Sequence, residues 1–112
     1  MVTVEQVRAV PLSLPRAYEA IVRDRVKFRV GRIVFVAFSR DETIMGFGYP
    51  REERDALIAA SPTVFHLPRT SDLRFQWVQA WTAELDPEVM AELVVDAWRM
   101  VVPKRVAAAH LG

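Results

Sequence analysis

The amino-acid sequence predicts an α+β fold of two layers, an antiparallel sheet with helices docked on it. Two stretches carry that expectation. Residues 24 to 38 read as two antiparallel strands joined at Gly31 and Arg32, and residues 87 to 102 read as a helix with a wide apolar stripe. In the first strand Val26, Phe28 and Val30 alternate with Arg25, Lys27 and Arg29, which gives one apolar and one cationic face. Gly31 accepts the positive φ that a two-residue primed turn demands at its first central position. Ile33 to Phe38 then form a continuous apolar run typical of a central strand.

From the amino terminus, Thr3 and Gln6 stand at capping-box spacing for a helix over residues 3 to 10, with Val4, Val7 and Val10 on one side. Pro11 and Pro15 bar its continuation, and Leu12 and Leu14 are expected to anchor the connector between them. Residues 18 to 22 read as a short strand leading into the hairpin. After Phe38 the polar set Ser39 to Glu42 turns the chain into a strand over residues 43 to 49, where Gly46 and Gly48 share one face and permit a bulge or a close backbone approach. Pro50 and the acids Glu52, Glu53 and Asp55 mark a helix start, and the helix is expected over residues 50 to 60.

Residues 73 to 85 fit two periods. Alternation puts Phe75, Trp77, Gln79 and Trp81 on one strand face, whereas Trp77, Trp81 and Leu85 would also align on a helix. The aromatic, valine and threonine content favours a strand, and Asp86 with Pro87 supplies a fresh helix start directly afterwards. In that last helix Met90, Leu93, Val94, Ala97, Trp98, Val101 and Val102 form the stripe that docks on the sheet. Pro103 is expected to end it, leaving Lys104, Arg105 and an alanine-rich tail.

A chain of 112 residues, 52% hydrophobic and 26% charged, fits one domain spanning residues 1 to 112. The formal charge of +1 is too mild to announce a nucleic-acid binder, so the electrostatic argument rests on placement. Residues 16 to 40 hold seven cations against two acids, a local +5, which leaves −4 for the remainder. The absence of cysteine excludes a disulfide framework, a thiolate metal site and a thiol nucleophile, and two isolated histidines argue against a histidine metal site. No apolar run approaches membrane-spanning length, and the start lacks a basic region followed by an apolar stretch. A cytoplasmic protein without membrane attachment, metal or cofactor is expected.

Several short stretches recur in a fixed order: Leu14 and Pro15 with Glu19; Phe28 to Gly31 with Ile33 and Phe35; Glu52 to Leu57; Pro62 with Val64 and Phe65; Trp77 and Val78; and Ala97, Trp98, Arg99, Val101 with Pro103 to Arg105. Together they span nearly the full chain, and in order and spacing they resemble the MmcQ/YjbR family of small bacterial proteins. The resemblance implies a frataxin/CyaY-like arrangement, with helices on one face of an antiparallel sheet, and the family's label of DNA binding, which rests on a double-wing likeness. Two departures stand out. Where many relatives look like a His-Pro or Arg-Pro step ahead of Phe28, this chain has Arg25 and Val26. Where they often carry Gly or His ahead of the tryptophan, it has Phe75 and Gln76. The frataxin-like fold does not bring iron binding with it, because the first helix offers only Glu5 as a carboxylate.

Three function classes follow. The first is nucleic-acid binding through Arg25, Lys27, Arg29 and Arg32, with Lys104 and Arg105 as further cations. Cations two residues apart on a strand lie about 6.5 to 7 Å apart, near the spacing of successive phosphates. The competing account makes the row a solvated face or a guard on an edge strand. The second is a protein-binding or planar-ligand module using Phe75, Trp77 and Trp81, against which stands simple packing of these rings under the last helix. The third, an enzyme using His66, lacks a nucleophile or an orienting acid in sequence, and a catalytic role for His66 or His110 is not expected.

Overall fold

The structure, a computed structural model, describes residues 1–111. Thr3 caps the first helix, α1 (Val4–Arg8), through a complete capping box with Gln6. The helix is shorter than its valine spacing suggested. Pro11 opens a separate 3-10 turn (Pro11–Ser13), because a ring without an N–H suits the first turn of a helix and disrupts its interior. Leu14 is buried, but Leu12 is 51% exposed and anchors nothing.

Four strands then follow as a meander, β1 (Ala17–Val22), β2 (Arg25–Val30), β3 (Ile33–Phe38) and β4 (Ile44–Gly48). Gly31 has φ of +60° in the β2–β3 turn, as that turn requires. Between β1 and β2 the same sharp reversal is made by Arg23 and Asp24, both at positive φ. Helix α2 (Arg54–Ala60), β5 (Phe65–His66), a 3-10 turn (Thr70–Asp72), β6 (Trp77–Trp81), α3 (Pro87–Arg99) and α4 (Lys104–Leu111) complete the order. Among the described residues the strands form one antiparallel six-stranded sheet in the order β1-β2-β3-β4-β6-β5.

Other boundaries also differ from the sequence reading, and the strand expected within residues 73 to 85 is confined to Trp77–Trp81. Helix α2 begins at Arg54, four residues after Pro50, because residues 50 to 53 form a turn and Glu53 caps the helix with backbone only. Helix α3 starts as expected, with the Asp86 carboxylate accepting from the amides of Glu88 and Val89, but it ends at Arg99. A proline at 103 would clash with the carbonyl of residue 99 in a continuous helix, so the chain breaks ahead of it and restarts as α4, where a bare tail was expected.

The core lies between the sheet and α1 and α3. Phe28, Val36, Phe38, Met45, Phe47, Val78 and Ala80 come from the strands, and Val7, Met90, Val94, Ala97 and Trp98 from the helices. Trp98 is 0% exposed and donates its indole N–H to the Pro15 carbonyl at 2.9 Å, fastening the helix to the connector before β1. Arg8 forks onto both carboxylate oxygens of Glu19 at 2.6 and 3.1 Å and also meets Glu5, which ties α1 to the edge strand. No helix among the described residues is long and apolar enough to cross a membrane.

Candidate nucleic-acid interface

Burial of Phe28, Val36, Phe38, Met45, Phe47, Val78 and Ala80 on the helix side sends their strand neighbours to the opposite face. Register then builds a row across that open face: Lys27 opposite Ala37, Ala37 opposite Gly46, Gly46 opposite Gln79, and Gln79 opposite His66. The middle of the row is small. Ala37 and Gly46 leave a trough, with Lys27 and Arg25 on one flank and Gln79 with Trp77 on the other. The Trp77 ring lies on Gly46 so closely that a Cβ there would stand 2.5 Å from the indole Nε1.

A loop folds over this face. Residues 67 to 76 bring Arg69 and Asp72, ion-paired at 2.9 Å, to the wall of the trough. What holds the loop is Arg54. Its guanidinium, in a residue only 8% exposed, donates to the carbonyls of Leu73, Phe75 and Trp77 at 2.7, 3.1 and 3.4 Å. Arg51 adds a bond to the Arg74 carbonyl at 2.7 Å, and the Arg74 guanidinium stacks 4.8 Å over the Phe75 ring.

Beside the trough the sheet splits. Phe28 faces Val36 while Arg29 faces Val34, so Phe35 is an extra residue in β3 and the ladder shifts there. The β3–β4 pairing covers only Val36 to Phe38 with Met45 to Phe47, which leaves Phe35 and Gly48 without a ladder partner in each other. A cavity of about 620 Å³ opens at the divergence. Its walls include Val34, Phe35, Gly48 and, from the end of α3, Ala97, Met100 and Val101. Arg25, Lys27, Arg69, Phe75 and Trp77 border it as well, so three cations face one carboxylate, Asp72, which Arg69 already pairs. The adjoining trough, about 320 Å³, shares Arg25, Lys27, Arg69, Asp72 and Trp77 with it.

The residues singled out in the sequence therefore divide. Arg25, Lys27, Phe75 and Trp77 meet around one cavity, although two of them were assigned to one function class and two to another. Arg29 is half-buried, and its Nε is enclosed without a hydrogen-bond partner among the described residues. Arg32 is exposed at the tip of the hairpin. Lys104 and Arg105 lie on α4, where Arg105 borders a different depression with Pro15 and His110. Trp81, 43% exposed, stacks on His66 with ring centroids 4.6 Å apart and borders another depression beside Thr43 and Thr82.

The aromatic strand thus does not pack beneath α3. Its smaller residues, Val78 and Ala80, face the core instead, and Trp77 and Trp81 stand on the open face. His66 Nε2 lies 3.1 Å from the Gln79 amide oxygen, and His110 packs edge-on against Trp98. No group of three or more His, Cys, Asp or Glu that could hold a metal ion occurs among the described residues. Arg54, Arg69 and Asp72 were not among the candidate site residues of the sequence. The spacing of Arg69 and Asp72 was a readable signal of a local ion pair, but nothing local announced that Arg54 turns inward.

Comparison with known proteins agrees with this architecture. A solved structure, Deinococcus radiodurans protein DR2400, carrying the domain DUF419, superposes with a TM-score of 0.80 at 19% identity, over 97% of this chain and 88% of that one. At such identity the likeness shows the fold alone. No curated protein matches. The family model YjbR matches residues 12–100, from the connector before β1 to the end of α3, and the chain belongs to the YjbR family.

Proposed function

We propose that this protein is a nucleic-acid-binding domain that holds phosphates weakly, and largely without regard to sequence, on the open face of its sheet. The observation that carries the reading is the convergence of Arg25 and Lys27 from β2 with Arg69 from the overhanging loop around one trough. Lysine and arginine at strand spacing suit consecutive phosphates, and the aromatic ring beside them suits a base. Arg32 extends the basic row at the exposed tip. Arg29, half-buried, contributes less, and Lys104 and Arg105 lie outside the trough. In this reading the chain is a cytoplasmic binding module rather than an enzyme, and its two histidines serve packing.

A titration against duplex and single-stranded DNA at two salt concentrations tests this. Binding at low salt that falls steeply at higher salt supports the reading, and absence of binding at low salt removes it. A second reading, a module for a small planar ligand or a protein partner, is favoured by one observation: Phe75 and Trp77 border a cavity whose 620 Å³ falls within the usual range of small-molecule sites.

A further inference from the structure

The geometry points to one occupant for the cavity between β3, β4 and the end of α3: a single unpaired nucleotide, its planar base inside and its phosphate on the rim. The inference rests on the reading of Arg25 and Lys27 as phosphate-binding residues and adds what lies behind them. We infer from it that the protein prefers single strands to duplex.

Four observations lead there. The inner walls are apolar, and of their residues Val34, Gly48, Met100 and Val101 each keep some exposed surface. Trp77 is fixed in place by its seat on Gly46, and Phe75 stands 50% exposed at the border on a loop that Arg54 pins. Both are available to a flat ring without rearrangement, and pre-organised aromatic surface is what sequence-tolerant stacking uses. Arg69 neutralises Asp72, so Arg25 and Lys27 remain as uncompensated cations and an anionic group at the border is favoured. Finally, a stacked and paired base cannot reach past the rim to Gly48 and Val101, whereas an unpaired one can.

The same chemistry has two sources, a nucleotide within a strand and a free nucleotide, and the experiment separates them. The chain of residues 1–112 is titrated at low salt with thymidine, thymidine 5′-monophosphate, a short oligothymidylate, and a duplex of the same length. The single strand is expected to bind more tightly than the duplex, and the monophosphate more tightly than the nucleoside. Trp77→Ala should weaken single-strand binding roughly tenfold or more and duplex binding by much less, and Trp77→Phe should restore most of the single-strand affinity.

Gly48→Leu provides a variant that removes no contact. A Cβ at this position meets the Ala97 Cβ at 3.7 Å and the Met100 Sδ at 3.8 Å, which are ordinary contact distances, and because Gly48 lines the cavity the larger side chain should take up part of its volume. It should abolish the preference for single strands and spare duplex binding.

Equal affinity for strand and duplex, with Gly48→Leu indistinguishable from the parent, overturns the cavity assignment. The phosphate reading then still stands if Arg25→Gln lowers both affinities. Binding of the monophosphate with neither polymer bound keeps the cavity as a free-nucleotide site and overturns the nucleic-acid reading. No binding of any probe overturns both.

Discussion

The indole of Trp77 rests on the backbone of Gly46, with Nε1 2.5 Å and Cε2 2.8 Å from where a Cβ would stand. Gly46→Ala must therefore push the ring off its seat, at a cost of about 1–3 kcal/mol from overpacking. In a Trp77→Ala background the same change should cost less than about 0.5 kcal/mol, because nothing is left to displace. Denaturant unfolding of the parent, both single variants and the double variant measures the coupling.

Arg54 is the second point of leverage. Arg54→Met leaves the carbonyls of Leu73, Phe75 and Trp77 without their donor and should cost about 2–4 kcal/mol. Arg54→Lys should recover only part, since a single ammonium cannot reproduce the planar fork. Hydrogen exchange in residues 67 to 76 should accelerate in both variants before global stability is lost, and equal protection in the parent would contradict the pinning role.

Trp98→Ala should destabilise by about 3–5 kcal/mol, because the largest fully buried side chain leaves a cavity between α3 and the sheet. Trp98→Phe keeps part of the volume but removes the donor from the Pro15 carbonyl, and it should fall between alanine and the parent. A loss below about 1 kcal/mol for the alanine variant, measured by urea unfolding, would contradict the packing of this helix.

Local pattern and tertiary context contributed unequally to these features. The strand over residues 25 to 30, the Thr3–Gln6 box and the Asp86–Pro87 start rest on local signals, and each reappears in the structure, although Lys27 and Arg29 are as half-buried as Val26 and Val30. The face taken by the aromatic strand was not decided by its own period. Trp77 and Trp81 alternate with Val78 and Ala80, and it is the smaller pair that joins the buried core. Arg54 reads as one more surface cation at a helix start, and only the loop that crosses it makes it a buried donor. The cavity depends on an extra residue in β3, Phe35, which sits in a uniformly apolar run where no break in pattern marks a bulge.

The β3–β4 turn offers a pH test. The Asp41 carboxylate accepts from the Ser39 and Thr43 hydroxyls at 2.8 and 2.7 Å and from the Thr43 amide at 3.1 Å, and these bonds hold its pKa below the ordinary carboxylate range. The side chain of Thr43 contributes most to the shift. A group that binds its proton more weakly when folded stabilises the fold above its unfolded pKa, and the contribution fades as pH falls through the folded value. Asp41→Asn should therefore be less stable than the parent at neutral pH, and the gap should narrow in acid. Urea midpoints for both proteins at neutral and acid pH read this directly, and a gap that widens in acid would contradict the assignment.

The central claim is that Arg25 and Lys27 meet phosphates, and the dependence of binding on salt tests it most directly. Each phosphate contact contributes about 0.9 to the slope of log affinity against log salt on duplex DNA and about 0.7 on single strands. Replacing both residues by glutamine should flatten the slope by about 1.8 on duplex and about 1.4 on single strands, with the fold intact. A folded double variant whose slope equals the parent's, or a parent without affinity at low salt, would contradict it.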